Sequence, residues 1–294
     1  MASDRAPESK NVCVVGAGMS GLAAARELRR EGHAVTVMEQ SGDVGGQWAY
    51  DPRVDGGDPL GARAPVRVHG SLYASVRLLG PREAMGFSDF QFVAADVVVY
   101  CTGYVYSFPF LDTGGAVTVE DNRVGPLFEH TFPPALAPSL SFLGVPMRIF
   151  VPWFLEAQAR WTARVLSGRT ALPPEDDMLR AVREDYRARE MAGLPARYSH
   201  DIGLFKPSEI GRGFVRKYTD LPDMEDWKME LFLAAFGNMN DDRETFQDRD
   251  NYSESVREGF QRWLASAGAQ YQAAIDAAGG GDAAHCRLHL TSEP

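Results

Sequence analysis

A glycine-rich turn near the start of the chain has the residue types and the spacing that bind a diphosphate. It lies between a β-branched run at 11–15 and a helical pattern at 22–31. In such a turn the first glycine permits a tight bend, the second lets the backbone approach an anion, and the third lets helix and strand pack closely. The helix then presents its positive N-terminal end to the anion. The candidate binding residues are Gly16, Ala17, Gly18, Met19, Ser20 and Gly21.

An acidic residue directly follows a second predicted strand, at 34–38. Glu39 has the position from which a carboxylate accepts hydrogen bonds from the ribose hydroxyls of a dinucleotide. Because a carboxylate repels a 2′-phosphate, this site disfavours NADP and leaves FAD and NAD open. The alternative is a structural glycine turn with an unrelated surface acid. The register of strand, turn, helix and acid disfavours that alternative.

The elements that must position these residues follow α/β order. Strand, turn, helix and strand at 11–38 form a βαβ unit, and apolar runs at 94–101 and 140–145 predict further strands that are buried on both faces. The fold class is therefore α/β, with a Rossmann-like domain and a mostly parallel sheet at 10–148. A helical C-terminal region is predicted at 149–277. Its predicted helices span 154–166, 174–191, 223–236 and 253–277, and the segments 1–9 and 278–294 are predicted to be disordered.

Composition excludes some classes of partner. The 294-residue chain has a formal net charge of -10 and a pI near 5.1, which argues against nucleic acid because its phosphates would be repelled. The most apolar stretches, at 93–111 and 136–155, are interrupted by prolines and charges and do not predict a transmembrane segment. The N-terminus has no signal-peptide pattern. A cytoplasmic location is expected, with Cys13, Cys101 and Cys286 as buried free thiols.

The loop after Glu39 carries the first family resemblance. An acid followed by a Gly-Gly-x-Trp segment resembles FAD-dependent monooxygenases, in which this loop lies along the FAD; a plain glycine loop with an exposed aromatic side chain is the alternative. The resemblance adds Gln40, Gly46, Gln47 and Trp48 to the candidate FAD-binding residues.

Longer segments resemble plant flavin-containing monooxygenases of the sulfur-oxygenating (glucosinolate S-oxygenase-like) type. They lie at 71–77, 81–90, 95–104, 121–128, 130–134, 156–161 and 172–200. The resemblance implies a flavoprotein with FAD as cofactor, and Thr102 and Gly103 approaching it from the strand that returns to the FAD domain. It also implies NADPH- and O2-dependent oxygenation of a soft sulfur or nitrogen nucleophile, so a thioether or amine is the expected small-molecule substrate.

The chain departs from that family in its middle. The family has roughly 200 residues, including a second dinucleotide-binding domain for NADPH, at a place that corresponds here to a junction near 90–93. No second G-x-G-x-x-G follows, and Leu79 stands where the family has an Asn near the flavin. Three readings stay open: a flavin-containing monooxygenase-like enzyme, a truncated non-catalytic FAD-binding remnant or splice product, and a small flavin oxidase or reductase.

Other candidate groups are weaker. His285, Cys286 and His289 provide three metal ligands without a fourth, so no metal site is predicted. The histidines His33, His69, His130 and His200 are isolated in sequence and are expected to be surface or satisfied core residues. Aromatic residues at Trp153, Phe154 and Trp161 are interpreted as core rather than as a substrate pocket. No catalytic residue is assigned.

Overall fold

The computed structural model describes residues 8–49, 86–88, 106–203, 209–242, 246, 249 and 251–277. Its elements fall into two compact units. The first contains the described residues up to 49 and those from 106 to 223, and the second contains residues 86–88 and the described residues from 224 onwards. The predicted domain ranges 10–148 and 149–277 remain a prediction.

A parallel βαβ unit begins the first compact unit. Strand β1 (Asn11–Val15) leads through the glycine turn into helix α1 (Met19–Arg30), and strand β2 (Ala34–Met38) returns beside β1. The two strands pair in parallel from Asn11 opposite Ala34 to Val15 opposite Met38. Both strands match their predicted bounds, whereas α1 starts three residues earlier than predicted because Met19 and Ser20 form its first turn. The α/β class is confirmed.

A long helix covers one face of this βαβ unit. Helix α2 (Val151–Leu166) packs along α1. Val14, Ala24, Leu28 and Ala163 form a buried apolar cluster between them. Alanine on both helices keeps the side chains small, which lets the two backbones approach closely. Helix α2 therefore fixes the direction in which α1 points.

The opposite face of the two strands has exposed apolar side chains. The side chains of Val15 and Met38 are 61% and 59% exposed, although parallel strands are usually covered on both sides. Cys13 lies on the same face and is exposed, so the prediction of a buried thiol at this position was wrong. The strand pattern that suggested burial is present, but within the described part of the chain the covering helices lie on one face.

A second, larger core surrounds α2 on its other side. Helices α3 (Glu175–Met191) and α4 (Glu209–Tyr218) pack there. The fully buried ring of Trp161 lies 4.8 Å from the Phe132 ring and 4.4 Å from the Tyr218 ring, between centroids. Trp161 is thus core, as predicted. Helix α4 was not predicted from the sequence, because Gly211 and Gly213 interrupt its helical pattern.

Two features between the βαβ unit and α2 differ from expectation. An antiparallel hairpin, β3 (Thr118–Glu120) and β4 (Arg123–Gly125), was not predicted. Conversely, the strand predicted at 140–145 is wrong. There the Gly144 N–H donates to a side chain instead of to a strand, and a positive φ of 85° at Gly144 bends the backbone away from an extended path.

The second compact unit contains a helical pair. Helix α5 (Asp226–Asp241) packs against α6 (Glu254–Ala277), with Trp227 and Trp263 in their shared core. Gly259 leaves room for the Trp227 ring, which would overlap any larger side chain at that position. Across the described residues, no helix has the length and hydropathy needed to cross a membrane.

Candidate functional site

The glycine turn adopts a conformation that only glycine accommodates at its ends. Gly16 has a φ of 97°, a left-handed backbone that side chains disfavour. Its N–H donates to Met38 O at 2.7 Å, which ties the turn to the end of β2. A Cβ on Gly21 would overlap Gly16 O. The first and third glycines therefore let α1 start close behind β1.

The N-terminus of α1 is open to an anion. Its N-cap residue is Gly18, which has no side chain to cap the helix, and its first turn contains no acidic residue. The first intrahelical hydrogen bond runs from Leu22 N to Gly18 O at 2.9 Å. The N–H groups of Met19, Ser20 and Gly21 have no acceptor within the helix, as in any first turn. These donors and the helix dipole suit a phosphate.

Glu39 reaches back to the glycine turn. Its Oε2 accepts a hydrogen bond from Ala17 N at 2.6 Å, and its Oε1 accepts one from Ser41 N at 2.9 Å. These donors, Ala17 N–H first and then Ser41 N–H, lower the pKa of the Glu39 carboxyl below its ordinary value. The carboxylate is therefore ionised at neutral pH, and it acts purely as an acceptor.

Glu39 keeps acceptor capacity for a ligand. A carboxylate has about four lone-pair sites, and two of them receive backbone N–H groups. The Ser41 hydroxyl lies 3.0 Å from Glu39 Oε1 and 2.7 Å from Asp43 O, but it has only one proton to donate. The Gln40 backbone N–H also lowers the pKa of the carboxyl. When the Ser41 proton goes to Asp43 O, the carboxylate keeps acceptor capacity beyond its backbone donors, which suits a ribose hydroxyl.

The loop that contains Gly45 and Gly46 packs against the glycine turn backbone to backbone. Gly45 N donates to Ala17 O at 2.8 Å. A Cβ on Gly46 would lie 2.8 Å from Gly18 Cα, closer than real contacts allow. Gly46, Gln47 and Trp48 form a short 3-10 turn there, and the exposed Gln40 lies between Glu39 and this loop. The structure thus brings together the turn, the acid and the Gly-Gly segment.

Some predicted site residues lie outside the described residues. They are Thr102 and Gly103, together with the predicted strand 94–101, Leu79, His69 and the group His285, Cys286 and His289. Among the residues that the structure does describe, no three His, Cys, Asp or Glu side chains lie close enough to hold a metal ion.

The structure adds residues that sequence reasoning missed. Gly144 lies against Ser20, so closely that a Cβ on Gly144 would overlap Ser20 Oγ. Ser20 is the second residue of α1, so the segment that precedes α2 meets the anion-binding end of α1. Gln158, fully buried on α2, holds Gly144 through a hydrogen bond of 3.1 Å from Gly144 N to Gln158 Oε1. The sequence signal for this contact is Gly144 itself, a glycine inside the apolar run 140–145 that predicts a strand.

Charged side chains lock α1 onto α2 behind the turn. The fully buried Glu156 lies 2.7 Å from Arg160 Nη2 and 3.5 Å from Arg26 Nη2. Glu27 on α1 lies 2.9 Å from Arg26 Nε and 3.4 Å from Arg160 Nε. Glu27 also pairs with Arg30, and Arg160 with Asp220. The acids and guanidinium groups at the interface of the two helices thus form a network of opposite charges, and such pairing is the condition for burying them.

Two histidines that are distant in sequence form a buried pair. His130 Nδ1 and His200 Nδ1 are 3.1 Å apart, and His200 Nε2 lies 2.9 Å from Val124 O. Since Val124 O only accepts, His200 carries its proton on Nε2, and His130 donates from Nδ1. Burial is the main cause that lowers the pKa of His130 to about 4 and that of His200 to about 3. Both rings are neutral at physiological pH.

His33 has a structural role as well. Its Nδ1 accepts from Lys10 N at 3.1 Å, and its Nε2 lies 3.0 Å from Ala163 O. The ring joins the start of the βαβ unit to α2. His33, His130 and His200 are therefore core histidines with partners, as predicted.

Two family profiles and several curated proteins match the chain. The sequence profile of the flavin-binding monooxygenase-like family matches residues 91–199, and the profile of the NAD(P)-binding Rossmann-like domain matches residues 14–75. In Arabidopsis thaliana, flavin-containing monooxygenase FMO GS-OX-like 9 is 30% identical over 446 aligned positions, spanning 86% of this chain and 95% of that relative. FMO GS-OX5 from the same plant is 39% identical over 178 residues, 60% of this chain and 38% of that relative.

A solved structure shares the fold. S-allyl-L-cysteine S-oxygenase from Allium sativum superposes with a TM-score of 0.75 and 24% identity, covering 91% of this chain and 100% of that chain. The alignment with FMO GS-OX-like 9 is longer than this chain, 446 positions against 294 residues. A large part of that relative's sequence therefore has no counterpart here.

Proposed function

The chain belongs to the flavin-containing monooxygenase family, and from that membership we propose that it binds FAD at the glycine turn. The observation that carries the proposal is the hydrogen bond from Ala17 N to Glu39 Oε2. It sets the acid that would hold a ribose beside the turn that would hold the adjoining diphosphate. Both parts of a dinucleotide's AMP half would then have partners within one βαβ unit.

The residues present fit FAD. Gly16 to Gly21 would hold the diphosphate through backbone N–H groups, and the Glu39 carboxylate would accept from the ribose. The lack of room for a Cβ on Gly46 beside Gly18 supports a cradle that is built of backbone. Gln40, Gly46, Gln47 and Trp48 would border the cofactor. Thr102 and Gly103 complete the proposed set.

The charge of Glu39 favours FAD over NADPH at this turn. The carboxylate is ionised because Ala17 N–H lowers its pKa, and a 2′-phosphate beside it would be repelled. The profile match named for NAD(P) covers this same turn. Among the described residues, no second parallel βαβ unit follows it. We therefore propose that this chain retains the FAD half and does not hold NADPH productively by itself.

The oxygenation chemistry is a further step of the proposal. By family membership, bound FAD would supply O2 activation with NADPH as the reductant, so that one oxygen atom would go to a soft sulfur or nitrogen nucleophile and the other to water. The name S-allyl-L-cysteine S-oxygenase favours a thioether as the substrate class. The protein would contribute binding, orientation and exclusion of water around the cofactor. The second candidate is a non-catalytic FAD-binding remnant, favoured by the segment that has no counterpart here.

An absorbance spectrum of the purified protein tests the proposal. The flavin bands should appear after incubation with FAD and gel filtration, and their height gives the bound fraction. A protein that unfolds cooperatively but retains no FAD would refute the proposal. Anaerobic NADPH then separates the two candidates: bleaching of the bands, with O2 uptake on re-aeration, supports the monooxygenase, and unchanged bands support the FAD-binding remnant.

A further inference from the structure

Gln158 uses both ends of its amide inside the protein. Its Oε1 accepts from Gly144 N at 3.1 Å, and its Nε2 donates to Thr131 Oγ1 at 2.9 Å. The Thr131 hydroxyl donates its single proton to Glu129 O at 2.9 Å, so it needs a donor from Gln158. Gly144 N–H needs an acceptor. Only one orientation of the amide satisfies both partners, and the fully buried side chain is held in it.

Gly144 connects the fixed Gln158 side chain to the start of α1. The absence of a Cβ lets its backbone lie directly on the Ser20 side chain, with Leu155 Cδ2 on the other flank, 3.3 Å from where a Cβ would be. Ser20 is in the first turn of α1, whose N–H groups face the proposed diphosphate site. Gln158, Gly144 and Ser20 thus form a continuous line of contact from the core to the end of α1.

We propose that Gln158 is a positioning residue for the flavin dinucleotide: it seats Gly144 on Ser20 and so fixes the first turn of α1 at the diphosphate. This inference rests on the proposed function. It extends the cofactor site beyond the glycine turn to a side chain that does not touch the cofactor.

The loop downstream of Gly144 has its own attachments. Tyr106 OH donates to Val145 O at 2.6 Å, and Met147 N donates to His200 O at 2.8 Å. Loss of the Gln158 hydrogen bond therefore frees Gly144 and leaves the following residues in place. The effect should be local to the contact with Ser20.

The test compares two buried substitutions in the apoprotein. Gln158→Met keeps the volume and removes both hydrogen bonds, whereas Thr131→Val removes the partner of Gln158 Nε2 and keeps the bond to Gly144. Both should lower the unfolding temperature. Well below that temperature, the Kd for FAD should rise about 10-fold in Gln158→Met and stay within about 2-fold of wild type in Thr131→Val, since one lost hydrogen bond is worth about that factor.

The outcomes separate this inference from the proposed function. A wild-type protein that does not bind FAD overturns both. A wild-type protein that binds FAD, with Gln158→Met unchanged in Kd or with Thr131→Val weakened equally, overturns only the positioning role, because the Gln158–Gly144 hydrogen bond then has no specific effect on FAD binding.

A double-mutant cycle on Gly144 and Ser20 tests the contact between these two residues. It provides the decisive test if Gln158→Met does not fold. Gly144→Ala should weaken FAD binding about 10-fold by pushing Ser20 away. Combined with Ser20→Gly, which removes the overlapping atoms, it should bind FAD more tightly than the two single effects predict together. The unfolding temperature should stay low in the double variant, because alanine is strained at a φ of 85°. Additive effects on the Kd would overturn the proposal.

Discussion

Ala17 N donates a hydrogen bond of 2.6 Å to Glu39 Oε2, so a side chain joins the glycine turn to the end of β2, beside the backbone hydrogen bond from Gly16 N to Met38 O. The same carboxylate accepts from Ser41 N–H. Glu39 therefore has a structural role and a proposed binding role. It joins the loop after β2 to the glycine turn by hydrogen bonds, and it keeps acceptor capacity for a ribose. Its substitution should affect both.

Glu39→Gln tests the ribose contact. The amide oxygen can still accept from Ala17 N–H, but the charge and one acceptor oxygen are lost. Because hydrogen bonds to charged groups contribute more than neutral ones, the Kd for FAD should rise roughly 10- to 100-fold. Titration of the apoprotein with FAD, followed by the quenching of flavin fluorescence, measures this change.

Glu120→Gln is the matched control for that experiment. Glu120 is an exposed acid of β3, and its neutralisation changes the net charge by the same amount. If both variants lost affinity equally, the effect would be one of overall charge, and the assignment of Glu39 to the ribose would be wrong.

Gly46→Ala tests the backbone cradle. A Cβ there would lie 2.8 Å from Gly18 Cα, and Gly46 has a φ of 57°, a conformation that costs other residues about 1–2 kcal/mol. The variant should lose that much unfolding free energy in urea and at least about 10-fold in FAD affinity.

Gly42→Ala lies in the same loop and serves as the comparison. A Cβ at Gly42 meets nothing within 4 Å, so its unfolding free energy should stay within about 0.5 kcal/mol of wild type. Equal losses in the two variants would show that the loop tolerates no alanine for reasons of chain flexibility alone.

The two strands of the βαβ unit could be predicted to the residue, because local signals determine them, whereas the start of α1 was predicted three residues too late. Short β-branched runs indicate both strands, and glycines mark the turn after β1. The position of Glu39 near that turn followed from the same local register, and that of Gly46 from the family resemblance of the loop. Their hydrogen bonds did not, since they depend on how the loop after β2 folds back.

The role of Gly144 could not be predicted in this way. Its segment is apolar, like a strand, but its backbone partners are Gln158 and Thr131 rather than a neighbouring strand. Contacts between residues that are separated in the sequence depend on tertiary packing, and the periodicity of apolar residues does not predict them. The same reason explains why the pairing of His130 with His200 was missed.

The buried histidine pair should make stability fall in acid. The pKa of His130 is lowered from 6.5 to about 4 on folding, so between these pH values the unfolded chain binds more protons than the folded one. Stability is therefore fully present above pH 6.5 and is lost as the pH falls, by up to about 3 kcal/mol from this residue. Urea unfolding at a series of pH values from 7 to about 4 measures the slope.

His130→Asn should flatten that slope. An asparagine amide can still donate to His200 Nδ1, but it does not titrate. The unfolding free energy should then change less between neutral pH and pH 4 than in wild type. An unchanged slope would mean that other groups cause the acid sensitivity.

The charged cluster between α1 and α2 predicts a large loss on partial neutralisation. Glu156→Gln removes the fully buried acid that lies beside Arg26 and Arg160, and Glu27 and the exposed Asp220 do not replace it inside the interface. Breaking a buried pair in this way costs about 3–5 kcal/mol, measurable as a shift in the urea midpoint. Asp177→Asn, in an exposed pair with Arg180, should cost less than about 1 kcal/mol. Similar losses would show that water reaches Glu156.

The exposed apolar side chains of β1 and β2 make protein concentration a variable in each of these titrations. The side chains of Val15 and Met38 are largely exposed, and Cys13 on the same face is exposed too. Exposed apolar area favours association between protein molecules, and an exposed thiol can be oxidised. Titrations at low protein concentration, with a reducing agent, therefore measure the binding of FAD without a contribution from self-association.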